Sequence, residues 1–278
     1  MRSQRLPVGA TVASLLLLTF VLIAVFAPLV APLDPNKQDL FARLKSPGVE
    51  IRGVTYLLGT DELGRDILSR IIHGARVSLV VAFISVCVSL VLGTTLGVMA
   101  GYFRGWMETV IMRLVDVVLS IPALLLAIIA VIVLEPGLFS LIAVLGFTRW
   151  PRYTRVAYGQ TLGVATRPYV VAARFHGAGA FWLMPRHILP NILNPLTVVA
   201  TLEFGLMILF EAGLSFLGLG IQPPTASWGA MMSVGRNYLN TAWWIATYPG
   251  VCLFILVLCV NLLGDTIRDR LDPRSERK

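Results

Sequence analysis

Apolar residues in this chain fall in long continuous runs, not in the one-sided stripes of a soluble amphipathic helix. Six stretches read as membrane-spanning helices: residues 9–31, 76–101, 109–134, 138–150, 192–214 and 243–263. Most reach the roughly 20 residues that a helix needs to cross a hydrocarbon layer about 30 Å thick. The fourth is short in apolar terms, and its helix is expected to run on past Pro151 into polar sequence. Glu135-Pro136-Gly137 marks a tight turn between the third and fourth, because proline and glycine punctuate helices. The pattern predicts an all-α polytopic protein with three notable polar connections, at 32–75, 151–191 and 216–242. The first is long enough to hold a short helix of its own, and the Gly/Pro-rich last one must be an ordered loop or re-entrant turn.

Composition agrees. The chain is 56% hydrophobic and only 14% charged, which leaves no room for a separate soluble domain. A net charge of +8 could suggest nucleic acid, but no platform of interleaved basic and aromatic residues stands outside the apolar runs. The placement of the charge explains it better. Six arginines and no acid lie between residues 149 and 191, and basic clusters close both ends, with Arg2 and Arg5 at one and Arg274, Arg277 and Lys278 at the other. Positive charge marks the cytoplasmic side, so six spans put both termini and the 151–191 segment there. The 32–75 segment disagrees in part: it falls outside yet holds six Lys/Arg, offset by six acids. The first apolar run is too long for the core of a cleaved signal peptide and reads as a retained span.

Several chemistries are excluded. A phosphate-binding P-loop needs GxxxxGK[ST], and the three lysines, Lys37, Lys45 and Lys278, never follow glycine in that pattern. HExxH and GxSxG are absent. The histidines, His73, His176 and His187, lack an i, i+4 partner, so no metal site is expected. Cys87, Cys252 and Cys259 lie singly inside apolar runs and read as small core residues.

Charges within spans remain, and they are costly in a bilayer unless paired or functional. Arg113 precedes Asp116 by three residues, so a local structural ion pair is expected. Glu203 and Glu211 either both face a polar interior path or divide into one paired glutamate and one near the external interface. The segment 169–191, YVVAARFHGAGAFWLMPRHILPN, is basic and broken by glycine and proline. A segment of this composition either lies on anionic lipid or docks a soluble partner; Ala172, Ala173 and Gly177 favour close helix contact.

Motifs along nearly the whole chain then identify a family. LGTDELGRDILSR from Leu58, AGYFRGW from Ala100, MRLVDVVLSIP from Met112, RHILPN from Arg186, EAGLSFLGLGIQPPTASWGAMM from Glu211 and NLLGDTIRDRLDP from Asn261 resemble the permease subunits of binding-protein-dependent ABC importers. The likeness is to the "C"-type permease of the dipeptide, oligopeptide and nickel branch. It implies a type I importer fold, with an N-terminal span and external segment at 1–75 and a five-span core at 76–278. The resemblance also implies an ATPase-coupling loop. Its residues here are Val171, Ala172, Ala173, Arg174, Gly177, Ala178, Arg186, His187 and Pro190, with Val171 standing where the family has glutamate. Glu203, Glu211, Ser215 and Phe216 are expected at the translocation path or gate; Glu203 departs from the family's small or apolar residue. The implied partners are a second permease, two ATP-binding subunits carrying ATP and magnesium, an extracytoplasmic binding protein and membrane lipid, in a bacterial inner membrane. The chain itself is expected to bind no cofactor and catalyse no reaction. A peptide cargo is expected, with nickel or a metal chelate as the alternative. A proton-driven carrier using Glu203, Glu211 or Asp116 is disfavoured by six spans without a visible repeat.

Overall fold

The computed structural model describes residues 8–271; Arg2, Arg5, Arg274, Arg277 and Lys278, which weigh on the orientation, lie outside the described residues. The chain runs through α1 (Val8–Val25), α2 (Ala27–Val30), a small hairpin β1 (Val49–Ile51) and β2 (Val54–Tyr56), and the long helix α3 (Ile67–Phe103). There follow α4 (Gly105–Ser120), α5 (Ala123–Leu134), α6 (Leu138–Ala165), α7 (Pro168–Phe175), α8 (Ala180–Leu183), α9 (Leu189–Phe216), α10 (Trp228–Gly235) and α11 (Trp244–Leu271). The architecture is helical, as the apolar runs predict.

Among the described residues, four helical stretches are long and apolar enough to cross a membrane, and five if the bent pair α4–α5 counts as one span. The remaining expected span is α6, which is uncharged from Leu138 to Thr148 and then carries Arg149, Arg152 and Arg155.

The boundaries differ from expectation in two places. α3 begins at Ile67, well before residue 76, because Asp66 caps it: its carboxylate accepts from Ser69 N (2.8 Å) and from Ser69 Oγ (2.6 Å). The third apolar run is not one helix, since α4 and α5 meet at 93°. Pro122 disfavours helical geometry at the residue before it, and Ile121 is extended (φ −95°, ψ 130°). α6 continues straight through Pro151, as expected.

The closest helix packing is between α3 and α6. Gly93, Gly97 and Gly101 recur every four residues and form a groove that seats α6. A Cβ built on Gly93 would lie 2.4 Å from the Trp150 carbonyl oxygen, and one on Gly97 2.5 Å from that of Thr154. Small residues at this spacing let helix backbones approach where lipid supplies no hydrophobic drive. One buried cluster joins Ile67, Val81, Leu141, Leu145, Ile208, Leu214 and Trp228 across α3, α6, α9 and α10. A second, around Tyr153, Ala157, Val170, Ile188 and Ile192, ties α6 to α7 and α9.

These contacts sort the polar connections to two ends. Trp244 Nε1 donates to the Thr60 carbonyl (3.1 Å) and Trp228 Nε1 to that of Ile71 (2.9 Å). The 32–66 segment therefore shares an end with the 217–243 loop. It holds the β1–β2 hairpin and a single 3-10 turn at Leu40–Ala42 in place of the expected helix. Some of its charges pair locally: Asp61 accepts from Arg65 Nε (2.6 Å), with Arg70 Nε at 3.6 Å, and Glu62 accepts from Arg65 Nη2 (3.0 Å). At the opposite end, the Arg174 guanidinium lies over the Tyr102 ring at 5.3 Å, which places α7 beside the end of α3.

Candidate coupling surface and transport path

The connection from α6 to α9 is a built element rather than a slack loop. α7 starts on Pro168, which suits a first helical turn. It anchors through Val170, which is buried, and Ile188 closes the same cluster from the far side of the turn. Val171, Ala172 and Arg174 face outward, Ala173 and Ala178 are partly covered, and Pro190 is exposed. Gly177 ends α7 at φ +84°, with its N–H on the Arg174 carbonyl (3.0 Å) and the N–H of Ala178 on that of Ala173 (3.1 Å). A Cβ at Gly177 would meet nothing within 4 Å. Its role in the chain is therefore conformational: it supplies the left-handed turn that ends the helix.

From Ala180 the chain turns through α8 and a widened helical turn at Met184–Ile188 into α9. Pro185 in that turn cannot donate an N–H, and the wider repeat accommodates it. His187 sits among aromatic rings, 5.1 Å from Trp182 and 6.1 Å from Tyr169, and the Arg186 guanidinium lies 5.4 Å from the Trp182 ring. Between these residues two aromatics point away from the protein: Phe175 is 88% exposed and Phe181 86%. They were not singled out from the sequence. The signal was there, as two phenylalanines in a basic segment outside any apolar run.

The charges inside the helices are paired across elements. Glu203 on α9 is buried and accepts from Arg149 Nε (2.9 Å) and Arg152 Nη1 (3.0 Å), both on α6. Arg149 also lies over the Phe210 ring at 4.8 Å. Glu203 is thus a paired glutamate, as one of its readings had it. Asp116 does not pair with Arg113; it accepts from Arg155 Nη2, reaching over from α6. Helical side chains lean toward the N-terminus, so Arg113, at the N-terminal side of the pair, points away from Asp116.

Glu211 is fully buried within the protein. Ser78 Oγ on α3 donates to its Oε2 (2.7 Å) and Ser215 Oγ to its Oε1 (2.9 Å). Ser215 Oγ in turn accepts from the N–H of Ile221 (3.2 Å). The carboxylate thus joins α3, α9 and the first turn of the 217–243 loop. Phe216 is half-buried beneath Arg236, whose guanidinium lies 5.5 Å from its ring. Downstream, Pro223 and Pro224 are joined by a cis peptide, and α10 returns to bury Trp228. Gly229 makes that return possible, since a Cβ there would lie 2.2 Å from the Ala212 carbonyl oxygen. Among the described residues no group of three or more His, Cys, Asp or Glu could hold a metal ion.

Comparison with known proteins gives this geometry a family. Residues 93–277 match the family described as binding-protein-dependent transport system inner membrane component, and residues 8–47 match the N-terminal transmembrane domain of oligopeptide transport permease C. The chain is 45% identical over 267 residues to a di/tripeptide transport system permease protein of Pseudomonas aeruginosa, covering 96% of this chain and 88% of that one. It is 43% identical over 270 residues to a dipeptide transport system permease protein of Haemophilus influenzae, covering 97% and 92%. It is also 40% identical over 272 residues to a probable D,D-dipeptide permease of Escherichia coli, covering 98% and 89%. In fold it is similar to the inward-facing MetNI methionine ABC transporter, at a TM-score of 0.59 and 21% identity over 74% of this chain and 98% of that one. Membrane-length helices, an ordered basic connection between α6 and α9 and a match over most of its length make this chain a member of the binding-protein-dependent transport system inner membrane components.

Proposed function

We propose that this chain is one of two permease subunits of an ATP-driven importer of di- or oligopeptides. The observation that carries this reading is the α6–α9 connection. A short helix and turn, rigidly anchored by Val170 and Ile188, present Phe175, Phe181 and a set of arginines outward. Exposed aromatics flanked by cations on a rigid element suit docking into a cleft of a soluble partner. Residues 171–174, 177, 178, 186, 187 and 190 form or frame that surface. Motion at the surface is transmitted to α6 and α9, because both helices are continuous with it.

In this reading six crossings place both termini and the α6–α9 connection in the cytoplasm of a bacterial inner membrane. α4 and α5 together form one crossing and α6 another. Two ATP-binding subunits, which carry ATP and magnesium, dock there, and a binding protein delivers cargo at the end bearing the hairpin and α10. A homologous permease completes the path. This chain supplies a bistable packed element and no bond chemistry. The activities named for its relatives favour peptides over nickel or a metal chelate as cargo. Glu211, Ser215 and Phe216 hold the external end of α9 to α3 and to the loop that follows, where a gate would close.

The test is reconstitution of the chain with its partner subunits in proteoliposomes. ATP-dependent uptake of a dipeptide delivered by the binding protein is expected. Phe175→Ala and Phe181→Ala are each expected to lower co-purification of the ATP-binding subunits. Unchanged co-purification in the double variant would show that this surface is not the docking site.

A further inference from the structure

A small cavity of about 160 Å³ opens where α4 breaks into α5, lined by Ile121, Pro122, Thr148, Arg149 and Arg152. The six-crossing reading sets Leu138 at the external edge of a hydrocarbon layer about 30 Å thick, and on that reading the climb of about 17 Å along α6 carries Arg149 and the cavity to mid-depth. The charges around it do not cancel. Arg149 and Arg152 share the single carboxylate of Glu203, and the nearby Asp116 is taken by Arg155, so the cavity keeps one net positive charge. Arg149 is buried, but the Arg152 side chain is 53% exposed and commits one guanidinium nitrogen to Glu203. An arginine left facing lipid at this depth would be costly, whereas one lining a watered passage is a mark of a transport path. The start of α5 faces the same cavity, and Pro122 gives its first amides no side-chain cap.

We infer that this cavity is a carboxylate subsite of the translocation path, in which Arg152 takes the terminal carboxylate of a passing peptide while Arg149 stays paired with Glu203. This rests on the peptide-import reading. The chemistry favours a carboxylate because guanidinium forks match its geometry. It disfavours a bare metal cation, which the net positive charge repels, and the depth disfavours a lipid headgroup. Glu203 sets the strength: by holding one face of each arginine it keeps the subsite weak enough to release its guest, as a conducting path requires.

The assembled complex in lipid nanodiscs, without the binding protein, tests this directly, with radiolabelled dialanine and dialanine amide as probes. The free acid is expected to be retained about tenfold or more over the amide, the difference one charge-assisted hydrogen bond makes. R152Q is expected to remove that preference, R152K to keep most of it, and E203Q to strengthen acid binding by releasing both guanidiniums. Equal retention of acid and amide by the wild-type complex, or no retention of either, overturns the subsite without recourse to any variant. So does an unchanged preference in R152Q or weaker acid binding in E203Q. Dialanine uptake by the complete wild-type system is read separately, and its failure overturns the import reading instead.

Discussion

Single residues in this protein matter most where the fold leaves them no substitute. Gly177 is one. Its φ of +84° ends α7 in a conformation that costs a side-chain-bearing residue about 1–2 kcal/mol. Gly177→Ala is therefore expected to disorder the turn and lower ATP-coupled uptake several-fold, with normal membrane insertion. Gly179→Ala is the control, because Gly179 has an ordinary backbone (φ −73°) and open space around it. Equal uptake by the two variants would show that the turn is not needed. Glu211 is a second case. Glu211→Gln keeps a carbonyl to accept from Ser78 or Ser215, while Glu211→Ala leaves the Ser78 hydroxyl without its acceptor and the Ser215 hydroxyl with only the Ile221 N–H, a loss of about 1–3 kcal/mol for an unsatisfied buried group. Thermal unfolding in detergent should rank wild type, Gln and Ala in that order. Identical midpoints for Gln and Ala would mean that the carboxylate does not hold α3 to α9.

Between elements, the α3–α6 contact is the most sensitive. The seat made by Gly93, Gly97 and Gly101 brings the two backbones together, and a Cβ at Gly97 would lie within 2.5–2.9 Å of three α6 atoms. No side-chain rotation relieves a clash with backbone. Gly97→Val is expected to push α6 outward and, because α6 leads into α7, to displace the docking surface as well. The variant should lose ATP-binding subunits on purification although the substitution touches none of the exposed residues. Gly163→Val, on the same helix pair but with nothing near its Cβ, should retain them. Retention by both would show that α6 position and docking are not linked. The bend between α4 and α5 is the other element-scale device, and Ile121-Pro122 is its local cause.

At the scale of the whole molecule, the contacts assign each polar connection to one of two ends, and the six-crossing arrangement we propose would put those ends on opposite sides of the membrane. A cysteine at Gly179 is expected to react with impermeant reagents only from the cytoplasmic face, and one at Thr225 only from the external face. Arg52, beside the hairpin turn, should label with Thr225, since Thr60 and Trp244 tie the hairpin segment to that end. Labelling of Gly179 and Thr225 from one side would remove the six-crossing arrangement. The proposed arrangement puts the 32–75 segment, with its six basic residues, on the external side, and the fold removes part of that conflict with the charge rule. Asp61 and Glu62 hold Arg65 and Arg70 within the folded segment, so part of its positive charge is not free to report on topology.

Much of this was legible in the residues alone. Long apolar runs determine that helices cross the membrane, the turn at Pro136-Gly137 separates α5 from α6, and the basic segment after α6 announces an element outside the bilayer. Those properties are local: hydropathy, backbone preference and charge act on neighbours in sequence. Even the bend at Ile121 and the four-residue glycine repeat of α3 were written there, though neither was read from the sequence. What only the tertiary structure decided is which groups meet. Sequence spacing paired Asp116 with Arg113, and the packing of α4 on α6 gave it Arg155. Glu203 and Glu211 were alike as carboxylates in one span; α6 brought two guanidiniums to the first, and α3 brought a hydroxyl to the second. The physical reason is range. A carboxylate is satisfied by whatever partner the packing brings within about 3 Å, and here the partners come from other helices: Arg155 lies 39 residues from Asp116, and Arg149, Arg152 and Ser78 lie more than fifty from the glutamates they meet.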